Sequence, residues 1–167
     1  MATVISKTAL KGLVWLKRGA DMVGVLFFLA TFSGFIVQVF FRYALNQPLA
    51  WTEEATMIAY IWAVFWAAAF MVPIREHVTF DVVYELVSPR TRRIFALISM
   101  VLLVIAFLLL IPATLDYMQF LMRKKSPVLR YQMTWVYGCY FIFLIAFCIQ
   151  AGWRALELMR PGWRDQI

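Results

Sequence analysis

Residues 94–115 read Ile-Phe-Ala-Leu-Ile-Ser-Met-Val-Leu-Leu-Val-Ile-Ala-Phe-Leu-Leu-Leu-Ile-Pro-Ala-Thr-Leu, 22 residues without a charge. A helix needs about 20 apolar residues to cross a hydrocarbon core about 30 Å thick, so this stretch reads as a membrane span. Three further stretches between consecutive charges match it: Met22–Phe41 (20 residues), Ala55–Ile74 (20) and Tyr131–Trp153 (23). Together the four hold 85 of the 167 residues. An outer-membrane barrel would instead show segments of about ten residues alternating with period two. Backbone groups in lipid must be satisfied within their own segment, which makes the spans helices. The expected fold class is an all-α integral membrane protein, one membrane domain over residues 1–167. Its transmembrane helices fall at about 20–42, 54–74, 92–118 and 131–154, with amphipathic surface helices beside them.

Composition agrees with this reading. The chain is 64% hydrophobic and 15% charged, against about 25% charged in an average globular protein. A soluble domain of this size could not hide so much apolar surface, and the mean hydropathy of +0.79 points to lipid as solvent. A soluble enzyme and a disordered tail are excluded. The net charge of +7 is no sign of nucleic acid, since basic flanking loops give membrane proteins such an excess. Trp15, Trp51, Trp135, Trp153 and Trp163 stand at or beyond span ends, where an indole buries its ring and keeps its N–H wet. Trp62 and Trp66 fall in the middle of the second span.

Lys7, Lys11, Lys17 and Arg18 resemble the basic region of a signal peptide, but the apolar run behind them is 20 residues long and lacks a small-residue cleavage site. It is expected to stay as the first helix. Residues 1–19 form an interfacial segment in this reading, with Ile5, Ala9, Leu13 and Leu16 on one side and Lys7, Lys11 and Arg18 opposite. With both termini in the cytoplasm, eleven Lys and Arg lie inside and five outside, which favours N-in, C-in. The cluster Arg123-Lys124-Lys125, placed outside, dissents.

The loops carry most of the polar residues. In the first, residues 42–54, Thr52 reads as an N-cap, and Glu53 and Glu54 suit the positive end of the second helix. Arg42 is within reach of either glutamate for an ion pair. Adjacent helical residues diverge by about 100°, so Glu53 and Glu54 do not converge on a metal. In the second loop, Val78, Val82, Val83, Leu86 and Val87 follow helical spacing, with His77, Asp81 and Glu85 on another side. A surface helix ending before Ser88-Pro89 accounts for this better than a metal site. The third loop holds the basic cluster, then Ser126-Pro127. It fits either bases facing lipid headgroups or an external patch that docks a protein.

Inside the spans, Ala55, Ala59, Ala63 and Ala67 recur every four residues as a small-residue ridge, with Trp62, Trp66 and Phe70 as a second ridge beside it. Thr31, Gly34, Gln38 and Arg42 share one side of the first helix, a polar stripe expected to face protein. No ionisable residue lies well inside any span, whereas ion-coupled transporters and proton relays normally need one at midplane. His77 is the only histidine, which excludes bis-histidine haem ligation. Cys139 and Cys148 lie about half a turn out of phase and cannot bridge within their helix. No catalytic set, metal or cofactor is expected.

Phe41-Arg42-Tyr43, Asn46-Gln47-Pro48-Leu49 and Trp51-Thr52-Glu53-Glu54 together resemble the small membrane subunit of tripartite ATP-independent periplasmic (TRAP) transporters, the DctQ-like small permease. The likeness continues through Trp62, Phe65, His77-Val78 and Asp81, then Arg90-Arg92-Arg93, then Ser126-Pro127 running into Trp135-Val136-Tyr137. It covers roughly Val23 to Ala155 and departs at Arg130-Tyr131-Gln132, where relatives tend to carry Gly, Pro and small apolar residues. The resemblance implies a four-helix scaffold in the bacterial inner membrane. Its partner would be a large elevator-type subunit that holds the substrate and sodium sites. A periplasmic substrate-binding protein would deliver an organic acid. On that basis Thr31, Gln38, Arg42, Trp51, Glu53, Glu54, Ala59, Ala63, Trp62 and Trp66 are candidates for the large-subunit interface, with membrane lipids around them. Arg123, Lys124, Lys125 and Arg130 are candidates for docking the binding protein. The alternative is a self-assembling four-helix membrane anchor or small exporter without a large partner.

Overall fold

The computed structural model describes residues 7–74 and 88–160. Four helices account for nearly all of them: α1 (Lys7–Tyr43), α2 (Ala50–Trp66, prolonged by a π turn over Ala67–Met71), α3 (Pro89–Leu121) and α4 (Met133–Met159). All four are long and apolar enough to cross a membrane, and no strand occurs among the described residues. The all-α membrane fold expected from the charge-free stretches is the fold found.

The helices overrun those stretches because backbone hydrogen bonding does not stop where the hydrocarbon ends. α1 is one unbroken helix of 37 residues, about 55 Å long at 1.5 Å per residue. From Lys7 onward, no turn separates the basic N-terminal segment from the first span. The surface helix expected around His77, Asp81 and Glu85 lies outside the described residues.

Helix ends follow local chemistry. Ser88 caps α3, its Oγ accepting from the Thr91 N–H at 3.4 Å, and Pro89 follows where a missing N–H costs nothing. At α2 the expectation fails: Leu49 is the N-cap, extended at φ −95° and ψ 106°, without a side-chain cap. Thr52 is buried in the first turn instead, and its hydroxyl donates to the Leu49 carbonyl at 2.7 Å. The far end of α2 widens into the π turn, where the Val72 N–H reaches back to the Ala67 carbonyl at 3.0 Å. Pro73 then ends the helix.

The main packing runs in the order α1, α2, α4, α3, so α4 is flanked on both sides and α1 and α3 lie at the margins. Half of the buried residues accordingly sit on α4, among them Leu144, Phe147, Ala151 and Leu158. Aromatic pairs close each seam. Phe27 meets Trp62 and Trp66 between α1 and α2, with ring centroids 5.5 and 6.1 Å apart. Phe65 meets Tyr140 and Phe143 between α2 and α4, and Phe107 stacks on Phe147 between α3 and α4 at 4.8 Å. Both cysteines, Cys139 and Cys148, are free.

The seam between α1 and α2 leaves no room for a side chain at Gly34. A Cβ placed there would lie 2.5 Å from Thr56 Oγ1, whereas one on Gly19 would meet nothing within 4 Å. Gly34→Val should therefore force the seam apart and cost ~1–3 kcal/mol, as overpacking does. Thermal unfolding of the solubilised full chain should show a lowered Tm for this variant and none for Gly19→Ala. Equal midpoints would contradict the contact.

Candidate functional site

The short connections 44–49 and 122–132 bring the C-terminal ends of α1 and α3 and the N-terminal ends of α2 and α4 to one end of the array. Glu54 joins them. Its Oε2 accepts from the backbone N–H of Val128 at 2.8 Å and of Leu129 at 3.2 Å, which ties the first turns of α2 to the α3–α4 loop. No ion pair joins Arg42 to Glu53 or Glu54 among the described residues, so the ion pair expected there is replaced by bonds to a loop more than 70 positions away. The reason is local: the left-handed Asn46 (φ 50°) and the bond from the Gln47 N–H to the Phe41 carbonyl close the first loop upon itself. Arg42 remains exposed in the last turn of α1, where a cation suits the helix dipole.

The clipped loop is compact. The Ser126 N–H donates to the Tyr131 carbonyl at 2.8 Å, the Tyr131 N–H donates to Ser126 Oγ at 3.2 Å, and Ser126 is buried. Arg130 adopts φ 58°, the left-handed region that glycine favours. On this frame Arg123, Lys124, Lys125 and Arg130 are all exposed, and Lys124 Nζ rests 4.4 Å from the Phe120 ring centroid. The four bases thus share one small, hydrogen-bonded element.

Between α1 and α2 runs an open trough of about 940 Å³. Along α1 it extends from Gly24 to Gln38 and along α2 from Glu53 to Met71. At 1.5 Å per residue these are about 21 and 27 Å, most of the hydrocarbon thickness. The floor is apolar, but Thr31, Gln38, Glu53 and Thr56 line it too. The Thr31 hydroxyl is spent on the Phe27 carbonyl at 2.8 Å. Thr56 Oγ1 is buried without a hydrogen-bond partner among the described residues.

The candidate residues therefore separate. Thr31, Gln38, Glu53 and Ala63 line the trough, and Ala59 is half-buried outside its lining. Trp51 is exposed beside the first loop. Trp62 and Trp66 turn to α1: both pack on Phe27, and the Trp66 indole N–H donates to the Ala20 carbonyl at 2.9 Å.

At the opposite end the structure adds residues that the sequence reading passed over. Gln150 Nε2 donates to the Ala69 carbonyl in the π turn at 2.6 Å, and Arg93 Nε donates to the Leu158 carbonyl at 2.8 Å. Arg154 is buried beside Glu157. Helical spacing held a signal here, since 150, 154 and 157 follow one another by four and three on α4. No group of three or more His, Cys, Asp or Glu that could hold a metal occurs among the described residues.

This is a multi-pass helical membrane protein whose polar side chains serve helix ends and one open trough. The family described as tripartite ATP-independent periplasmic transporters, DctQ component, matches residues 31–160, and the chain belongs to that family. Comparison with curated proteins finds no match. The chain is thus a component of a TRAP transporter, a family that works in transport and pairs this subunit with a large membrane subunit.

The clip on the third loop is testable at its two amides. Glu54→Ala should remove the shared acceptor and speed hydrogen exchange at Val128 and Leu129. Glu53→Ala, one residue away on an exposed side chain, should leave both amides as they are.

Proposed function

We propose that the chain is the scaffold subunit of its transporter. It holds a large elevator-type subunit in place during sodium-coupled, binding-protein-dependent uptake of an organic acid. The trough between α1 and α2 is the observation that carries this reading. Its length suits a helix laid alongside, and Ala63 and Ala67 let a neighbouring backbone come close. Gln38 and Glu53 offer polar partners at one end. The lack of ionisable residues in the middle of the spans fits a subunit that supports movement without binding the coupling ion.

By the same reading both termini face the cytoplasm across an inner membrane, as the excess of Lys and Arg at that end favours. The loop 122–132 then faces the periplasm and presents Arg123, Lys124, Lys125 and Arg130 to the binding protein. A basic patch on a compact loop steers an acidic partner and fixes its orientation.

Two experiments bear on this. Ala63→Trp fills the trough and should abolish co-purification of the large subunit, while Gln38→Leu, removing one interhelical hydrogen bond of about 0.6 kcal/mol, should weaken it about threefold. Full recovery of the complex with Ala63→Trp would sink the trough as the interface. Separately, changing Arg123, Lys124 and Lys125 together to Ser should raise the binding-protein concentration needed for half-maximal uptake by about tenfold at low salt and less at high salt. An unchanged concentration dependence would remove the docking role.

A further inference from the structure

The trough between α1 and α2 is uneven along its length. Far from the first loop its lining is small or apolar, with Gly24, Ala67 and Met71. Near the loop it carries Gln38 on α1 and Glu53 on α2, and Glu53 is the one charged residue of the lining. Glu53 lies three residues into α2 and Gln38 five residues before the end of α1. At 1.5 Å per residue both stand within about 8 Å of the loop. Glu53 is exposed and Gln38 half-buried, and neither side chain has a hydrogen bond or ion pair among the described residues. The helix ends that lead out of the described residues are all at the opposite end of the array.

The dipole of α2 favours an acid in its first turn but does not choose the side of the helix on which it stands. Glu53 continues the stripe of Thr56, Met57, Tyr60 and Ala63, at spacings of three and four, so a helix laid along the trough covers it. Covering strips water from a carboxylate, which accepts hydrogen bonds and donates none. A charge left unpaired there is costly, and a basic side chain on the incoming helix removes the cost. Lys and Arg suit this place, because their stems lie along apolar surface while the charged head stays near water.

We propose that the helix of the large subunit seated in this trough carries a Lys or Arg at the level of Glu53 and forms an ion pair with it. The inference rests on the trough as the seat of the large subunit and adds the chemistry of its occupant. Because the carboxylate stands at one end only, the pair fixes the height of the incoming helix against smooth apolar walls. It also sets the direction, with the basic residue toward the first loop. Gln38, at the same end, adds a donor and an acceptor beside the pair.

Co-expression of the full transporter with a tag on this chain tests the pairing. Retention is read as large subunit recovered per tagged small chain, which keeps differences in folding and insertion out of the comparison. Glu53→Asp keeps the charge on a shorter stem and should stay within about threefold of the wild type. Glu53→Gln, similar in shape but neutral, should lower retention about tenfold, and Glu53→Lys, which sets two cations face to face, should abolish it. Gln and Lys variants that retain the large subunit as the wild type does would overturn the pairing and leave Glu53 to water or a lipid headgroup. An Asp variant as weak as the Gln variant would overturn it too, since shape and not charge would then decide. Ala63→Trp separates this inference from the reading beneath it. Loss of the complex with Ala63→Trp but not with Glu53→Lys rejects the cation alone, whereas full recovery with Ala63→Trp rejects the trough itself.

Discussion

Nothing in a bilayer pushes two apolar helices together, because lipid tails are as apolar as leucine. Association then rests on close packing and on a few interhelical hydrogen bonds. Here that constraint converges on α4, the helix with neighbours on both sides. Phe143 and Phe147 face Phe65 on α2 and Phe107 on α3, while Ala151 and Ala155 let the neighbours approach near the other end. α1 reaches this core only through α2. Its attachment depends on Gly34 fitting against Thr56 and on Phe27 meeting two tryptophans. The array is consequently open along α1 and α3, and large apolar side chains such as Phe28, Phe32, Leu102 and Leu109 face outward.

Several long-range hydrogen bonds among the described residues share one form: a side chain reaches a backbone group of another helix or loop. Glu54 accepts from Val128 and Leu129, Trp66 donates to Ala20, Gln150 to Ala69 and Arg93 to Leu158. Except for the Ala20 carbonyl, which lies within α1, these groups belong to a loop, a helix end or the π turn, where backbone groups lack a full set of intrahelical partners. A side chain that satisfies one both removes a desolvation cost and fixes the relative height of two helices. These bonds set the register of the array where packing between smooth apolar faces would let helices slide.

This division explains which features were legible in the sequence. Where a residue sits along the membrane normal depends on its own partition between water and hydrocarbon, so the four spans follow from the positions of charges alone. Which residue a side chain touches depends also on the rotation of its helix about its axis. Periodicity found the stripe of Thr31 and Gln38 but could not say what lay opposite. Glu53 and Glu54 are chemically identical and adjacent, yet one lines the trough and the other clips a distant loop. Thr52 has the chemistry of a cap but lies three residues past the true N-cap, since the chain becomes helical directly after Pro48-Leu49. Arg154 counted by charge as part of a flanking tail, and only the continuation of α4 to Met159 carries it into a packed environment.

The openness of the array bears on the proposed role. In this chain α2 and α4 hold the margins apart, and the trough keeps Gln38 and Thr56 along an apolar wall. A second helix seated in the trough adds packing along most of the membrane thickness and can pair with Gln38. The polar Gln38 and Glu53 along this trough favour a partner helix over the self-contained anchor or exporter.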